Sequence, residues 1–127
     1  MTIPSRKPRR VVLVVPDLLF ATRIVETAKQ LGVEALASSR AAAADACRDA
    51  LTDLLIVDIE AASDLDGLRR ELDAHAESSQ VRMIGFYPHV RAELREAALA
   101  ARLDLVLPRS AFTARLSRLL AGEGGSA

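Results

Sequence analysis

Two aspartates in this chain stand where they can act together. Asp17 follows the apolar run Val11-Val-Leu-Val-Val15 and Pro16, and Asp58 closes the run Leu54-Leu-Ile-Val57. Carboxylates that meet at one rim can bind a hard divalent cation such as Mg²⁺, which takes oxygen ligands and keeps several waters. A metal held there neutralises developing charge and supports phosphoryl transfer onto one of the carboxylates. Each aspartate also has a plainer role available: Asp17 as the N-cap of a following helix, Asp58 as the cap of a strand-end turn. Glu60, Asp64 and Asp66 read as a solvated acidic loop, and His75 and His89 as surface residues with no metal pair between them.

Whether the two aspartates meet depends on the elements that carry them. Val11–Val15 is a short β-branched run, the pattern of a strand covered on both faces. Helical spacing of Leu18, Ile24, Val25, Ala28 and Leu31 predicts a helix from Asp17 to Leu31, with Gly32 as its stop. Val33–Ala37 predicts a second, weaker strand. Ser38 or Ser39 can cap an Ala-rich helix running to about Leu51. Leu54–Ile59 predicts the third strand, and a helix from Asp64 to about Ala76 follows. The fourth strand is expected over Val81–Phe86, with Pro88 in the first turn of a helix reaching Ala101. Leu103–Leu107 predicts the fifth strand; Pro108 ends it, and Ser110 can cap a last helix to Leu120.

Five strand–helix repeats with buried strands imply a parallel sheet with helices on both faces. Right-handed crossovers leave few topologies, and the expected one is the flavodoxin-like order 2-1-3-4-5. It is an α/β, three-layer, doubly wound sandwich. In that order the first and third strands are neighbours, so Asp17 and Asp58 converge at the C-terminal rim. The expected organisation is a basic flexible arm over 1–9, one domain over 10–121 and a frayed tail over 122–127.

With these residues in place, the chain resembles response-regulator receiver domains of the CheY-like type over about residues 10–121. The family's phosphorylated aspartate ends the third strand, where Asp58 stands. Asp64-Leu-Asp-Gly-Leu-Arg-Arg-Glu-Leu72 resembles the family's Asp-Gly segment leading into the third helix. The resemblance implies a metal site made by Asp17, Asp58 and the backbone carbonyl of Glu60. It also implies a histidine kinase or a downstream effector as partner, and a partner or homodimer surface on the fourth helix, fifth strand and fifth helix. Arg91, Arg95, Arg115 and Arg118 are the expected basic edge of that surface. Few bulky apolar residues are expected to be left over on it.

Departures from the family pattern mark the chain as an atypical receiver, or pseudo-receiver. Pro16 stands where receivers carry a first acid after strand one, so bound Mg²⁺ is expected to be weak. The proline usual in the loop after the acceptor is missing, with Ala61-Ala62 in its neighbourhood. Phe86, followed by Tyr87, replaces the small hydroxyl residue at the end of strand four. Arg109 stands in for the near-invariant lysine after strand five, and a planar guanidinium is not a conservative exchange for an ammonium.

Composition narrows the alternatives. Seventeen basic residues balance seventeen acidic ones, which argues against a dedicated nucleic-acid binder. Half the residues are hydrophobic but only 3% are aromatic, so the core must come from aliphatic side chains. Cys47, the single cysteine, reads as a small apolar side chain. No run approaches the ~18–20 apolar residues of a membrane span. Pro16 and Asp17 cut short the one stretch resembling a signal peptide, which makes a cytoplasmic protein the expectation. Neither a phosphate-cradling glycine loop nor a nucleophile elbow is present, and no output domain is expected after the last helix. The expected unit is therefore a stand-alone signalling module acting through a partner, not an enzyme.

Overall fold

The computed structural model describes residues 7–49 and 51–122. Strand β1 (Arg10–Val14) is followed by α1 (Leu18–Gln30), β2 (Glu34–Ala37), α2 (Arg40–Cys47) and β3 (Thr52–Asp58). Then come α3 (Leu65–Asp73), a single-turn α4 (Ala76–Ser79), β4 (Arg82–Tyr87), α5 (Ala92–Ala100), β5 (Leu105–Pro108) and α6 (Arg109–Leu120). The strands form one parallel sheet in the order β2-β1-β3-β4-β5, as the sequence predicts.

Strand side chains alternate between the two faces of this sheet, so each strand feeds two cores. Val11, Leu13, Leu54, Ile56, Ile84 and Phe86 pack with α1 and α6 on one face. Val12, Val14, Leu55, Val57, Met83 and Tyr87 pack with α2, α3 and α5 on the other. This double burial is why β1 and β3 read as continuous apolar runs rather than alternating ones.

Local chemistry explains most helix ends. Asp17 caps α1 by accepting from the Phe20 N–H, and Ser39 caps α2 through Ala42. Gly32, at φ 73°, takes the left-handed turn after α1 that any side chain would resist. Other boundaries differ from expectation. The third helix stops at Asp73, and α4 is a separate turn whose Ser78 hydroxyl reaches back to the Leu72 carbonyl. Pro88 to Arg91 form a turn and α5 starts only at Ala92. Ser110 is no cap: α6 begins directly after Pro108, which ends β5 opposite Tyr87.

Part of the expected basic arm is anchored. Lys7 donates to the Leu31 carbonyl at 2.8 Å, and Arg9 holds Asp53 through both its backbone N–H and its guanidinium. Residues 1–6 of that arm and 123–127 of the expected tail lie outside the described residues, while Gly122 closes α6 by donating to Leu119.

Candidate functional site

Parallel pairing of β1 with β3 sets Val14 beside Val57, which brings Asp58 and the β1–α1 turn to the same rim. Asp58 is half-buried at the end of β3. Its Oδ1 accepts from the backbone N–H of Glu60 at 3.1 Å and of Ala61 at 3.4 Å, a strand-end turn that fixes the carboxylate. Burial raises its pKa above the ordinary carboxylate value, partly opposed by those N–H groups; the Glu60 charge adds to the rise and the Arg109 charge opposes it. Asp58 thus takes the turn-cap role that the sequence offers it, with its carboxylate at the C-terminal rim.

Asp17 fills its expected role as N-cap and adds an ion pair that the sequence did not predict. One oxygen caps α1, and the other takes a hydrogen bond from Arg109 Nη2 at 3.2 Å. Both lower its pKa, the Phe20 N–H most and Arg109 next. Arg109 reaches this rim because α6 starts immediately after β5, placing residue 109 at the sheet's C-terminal edge. Its guanidinium carbon lies 4.0 Å from the Phe20 ring centroid and 5.9 Å from that of Phe86. The sequence singled out Asp17, Asp58 and Arg109 as candidates, and the fold gathers all three at one rim.

Phe86 pairs in register with Asp58 across β3 and β4, and the Ile59 N–H donates to its carbonyl. The ring, 1% exposed, stacks on Phe112 at 4.9 Å and meets Phe20 edge-on at 5.1 Å. Tyr87, next along the strand, points into the opposite core. Neither residue offers a hydroxyl beside Asp58. Sequence reasoning missed the three-phenylalanine cluster. Its signal was present: Phe86 is the next-to-last residue of β4, and Phe20 and Phe112 lie in the first turns of α1 and α6.

The metal ligands implied by the resemblance do not fit a divalent cation well. Both Asp17 oxygens are already engaged, and Asp58 Oδ1 is taken by two backbone N–H groups. No cluster of three or more metal-ligating acids, histidines or cysteines occurs among the described residues. Mg²⁺ demands near-octahedral oxygen geometry, and the charge partner this donor set already holds is a guanidinium. Cys47 is buried, with its thiol pushed up to about 12 by burial, so it is inert as a nucleophile or ligand.

The face formed by α5, β5 and α6 differs from its expected character. Arg91 is paired with Glu60 and Glu93, and Arg95 with Glu96, so these two members of the expected basic edge are compensated. Apolar surface is more abundant than expected, because Ala98 alone of α5 is fully buried. Leu99 is 43% exposed and Val90, in the preceding turn, is 75% exposed. Beneath α5, next to α3, lies a cleft of about 450 Å³ lined by Ile59, Leu65, Leu94 and several alanines, with Asp64 and Asp66 also on its wall.

The architecture, five parallel strands in the order 2-1-3-4-5 with helices on both faces, is the flavodoxin-like α/β fold. The phosphorylated cyanobacterial phytochrome response regulator RcpA, known as a crystal structure, superposes with a TM-score of 0.62. The match covers 90% of this chain and 89% of that one at 12% identity, a likeness of fold. No protein-family model matches the chain, and no curated protein does. No helix among the described residues is long and apolar enough to cross a membrane.

Proposed function

We propose that this chain is an atypical receiver-like domain of bacterial signal transduction, cytoplasmic and not an enzyme. It works by binding a protein partner, a histidine kinase or a downstream effector. Asp58 is its phosphoacceptor position, used slowly or not at all. The observation that carries this reading is Phe86. A buried, stacked ring stands beside the acceptor where a receiver places the hydroxyl that responds to phosphoryl arrival. Moving that ring would break its contacts with both Phe20 and Phe112, so phosphorylation has no low-cost route to the far face. The half-buried, turn-capped Asp58 is retained as a shaped position while its switch is not.

Incubation with acetyl phosphate and Mg²⁺, followed by intact-mass measurement, tests the reading. Slow, substoichiometric labelling is expected. Rapid, complete labelling that disappears in Asp58→Asn would establish a conventional phosphorylated receiver instead. The contact surface is proposed to be the α5–β5–α6 face, for a partner or a second copy. Sedimentation velocity should show association that weakens in the double variant Arg95→Glu, Arg115→Glu; unchanged association would exclude this face.

A further inference from the structure

We infer that the guanidinium of Arg109 is the resident cation of the acidic rim, occupying the electrostatic role of a divalent metal and excluding one. Three contacts hold it. Asp17 Oδ2 accepts from Nη2 at 3.2 Å, the Phe20 ring lies 4.0 Å below the guanidinium carbon, and the Phe86 ring lies 5.9 Å away. Phe20 and Phe86 are themselves fixed, by each other at 5.1 Å and by Phe112 at 6.0 and 4.9 Å. The cation therefore rests on a rigid aromatic platform rather than swinging on a free side chain.

Guanidinium suits this seat for reasons that ammonium and metal do not share. Its plane can stack on aromatic faces, and it is weakly hydrated. Its charge acts on Asp58 as well as on Asp17. A divalent ion would have to detach Arg109 from Asp17, or share that carboxylate against the repulsion of a fixed positive charge. Asp17 cannot turn away to help, because its other oxygen caps α1 through Phe20.

This inference rests on the receiver-like reading only in expecting a cation at this rim. Its test uses Mn²⁺ as probe, with the free ion followed by electron paramagnetic resonance on the full chain. Wild type is expected to show no saturable, Asp17-dependent binding. Arg109→Gln should gain a saturable, Asp17-dependent site, because removal of one nearby unit charge favours a divalent cation by on the order of tenfold in affinity. The gain should vanish in Arg109→Gln combined with Asp17→Asn. Saturable, Asp17-dependent Mn²⁺ binding by wild type, or no gain in a folded Arg109→Gln, would overturn the inference. Should Arg109→Gln not fold, wild type alone decides. Amide shifts of Asp17 and Phe20 should respond identically to MgCl₂ and to NaCl of equal ionic strength, and a saturable Mg²⁺-specific shift would overturn it. Rapid acetyl phosphate labelling without a Mn²⁺ site would sink the proposed function and leave this inference standing.

Discussion

At the scale of single residues, the rim combines a carboxylate pushed toward its neutral form with one held ionised. Asp58 has a folded pKa above its unfolded value, with burial as the leading cause. Its ionisation therefore costs stability: nothing below the unfolded pKa, an increasing penalty as pH rises toward the folded value, and a constant penalty above it. Asp58→Asn should be more stable than wild type at pH 7, with the difference disappearing below about pH 3.9, the ordinary aspartate value. Chemical denaturation of both proteins across that range checks this, and an advantage that persists in acid would contradict it. Gly85, one position before the stacked phenylalanine, makes a second point about the same strand. A Cβ there would sit 2.6 Å from Ile59 Cδ1 and 2.7 Å from Leu103 Cδ2, both in the packed core. Gly85→Ala should lose about 1–3 kcal/mol to overpacking, measurable by urea unfolding. Asp17 and Asp58 were legible as candidates in the sequence because strand ends in a parallel α/β order point to one rim, and Arg109 through the resemblance to receivers. The seat of Arg109 was not, since which ring a long side chain lies over depends on tertiary packing that spacing alone does not encode.

Elements in this protein differ in how firmly the sheet holds them. Helices α1 and α6 bury several large residues each, Phe20 and Ile24 from one and Phe112, Leu116, Leu119 and Leu120 from the other. Helix α5 buries Ala98 alone and has no side-chain cap at its N-terminus. A helix with so little apolar contact has little to hold it beyond its backbone bonds. Its amides are therefore expected to exchange with solvent markedly faster than those of α1 and α6, by hydrogen exchange with mass spectrometry. Equal protection of α5 and α6 would show that something other than apolar burial secures it. This weakness was hidden in the sequence, where Val90, Leu94, Ala97, Ala98 and Ala101 recur at helical spacing. Spacing marks which residues share a stripe; it does not measure how closely the stripe approaches the sheet. The same limit moved the start of α5 from Pro88 to Ala92. By contrast, the Asp17 and Ser39 caps and the Gly32 stop were readable, because each is decided by chemistry within one turn.

For the whole molecule the governing fact is that one sheet separates two cores. Phe112 belongs to the core under α1 and α6, and Leu72 to the core under α2, α3 and α5; both are fully buried. The strands alternate side chains into both, so β1, β3 and β4 cannot lose one core while keeping the other. Order 2-1-3-4-5 was legible from the alternating pattern for the same reason, since only sheet strands covered twice read as unbroken apolar runs. A domain built this way should unfold in one cooperative step, as single domains under about 150 residues generally do. Leu72→Ala should cost about 2–5 kcal/mol and Phe112→Ala about 3–5 kcal/mol, the usual range for emptying buried sites. Because the two sites lie on opposite faces with no shared neighbours, the double variant should show the sum to within about 0.3–0.5 kcal/mol. Denaturant melts followed by far-ultraviolet circular dichroism and by Tyr87 fluorescence should coincide for every variant, because Tyr87 reports from the Leu72 side. A second transition appearing in Phe112→Ala alone would mean that the layer carrying Arg109 and its aromatic platform can melt separately. Coincident melts would instead tie the rim's rigidity to the stability of the whole sheet.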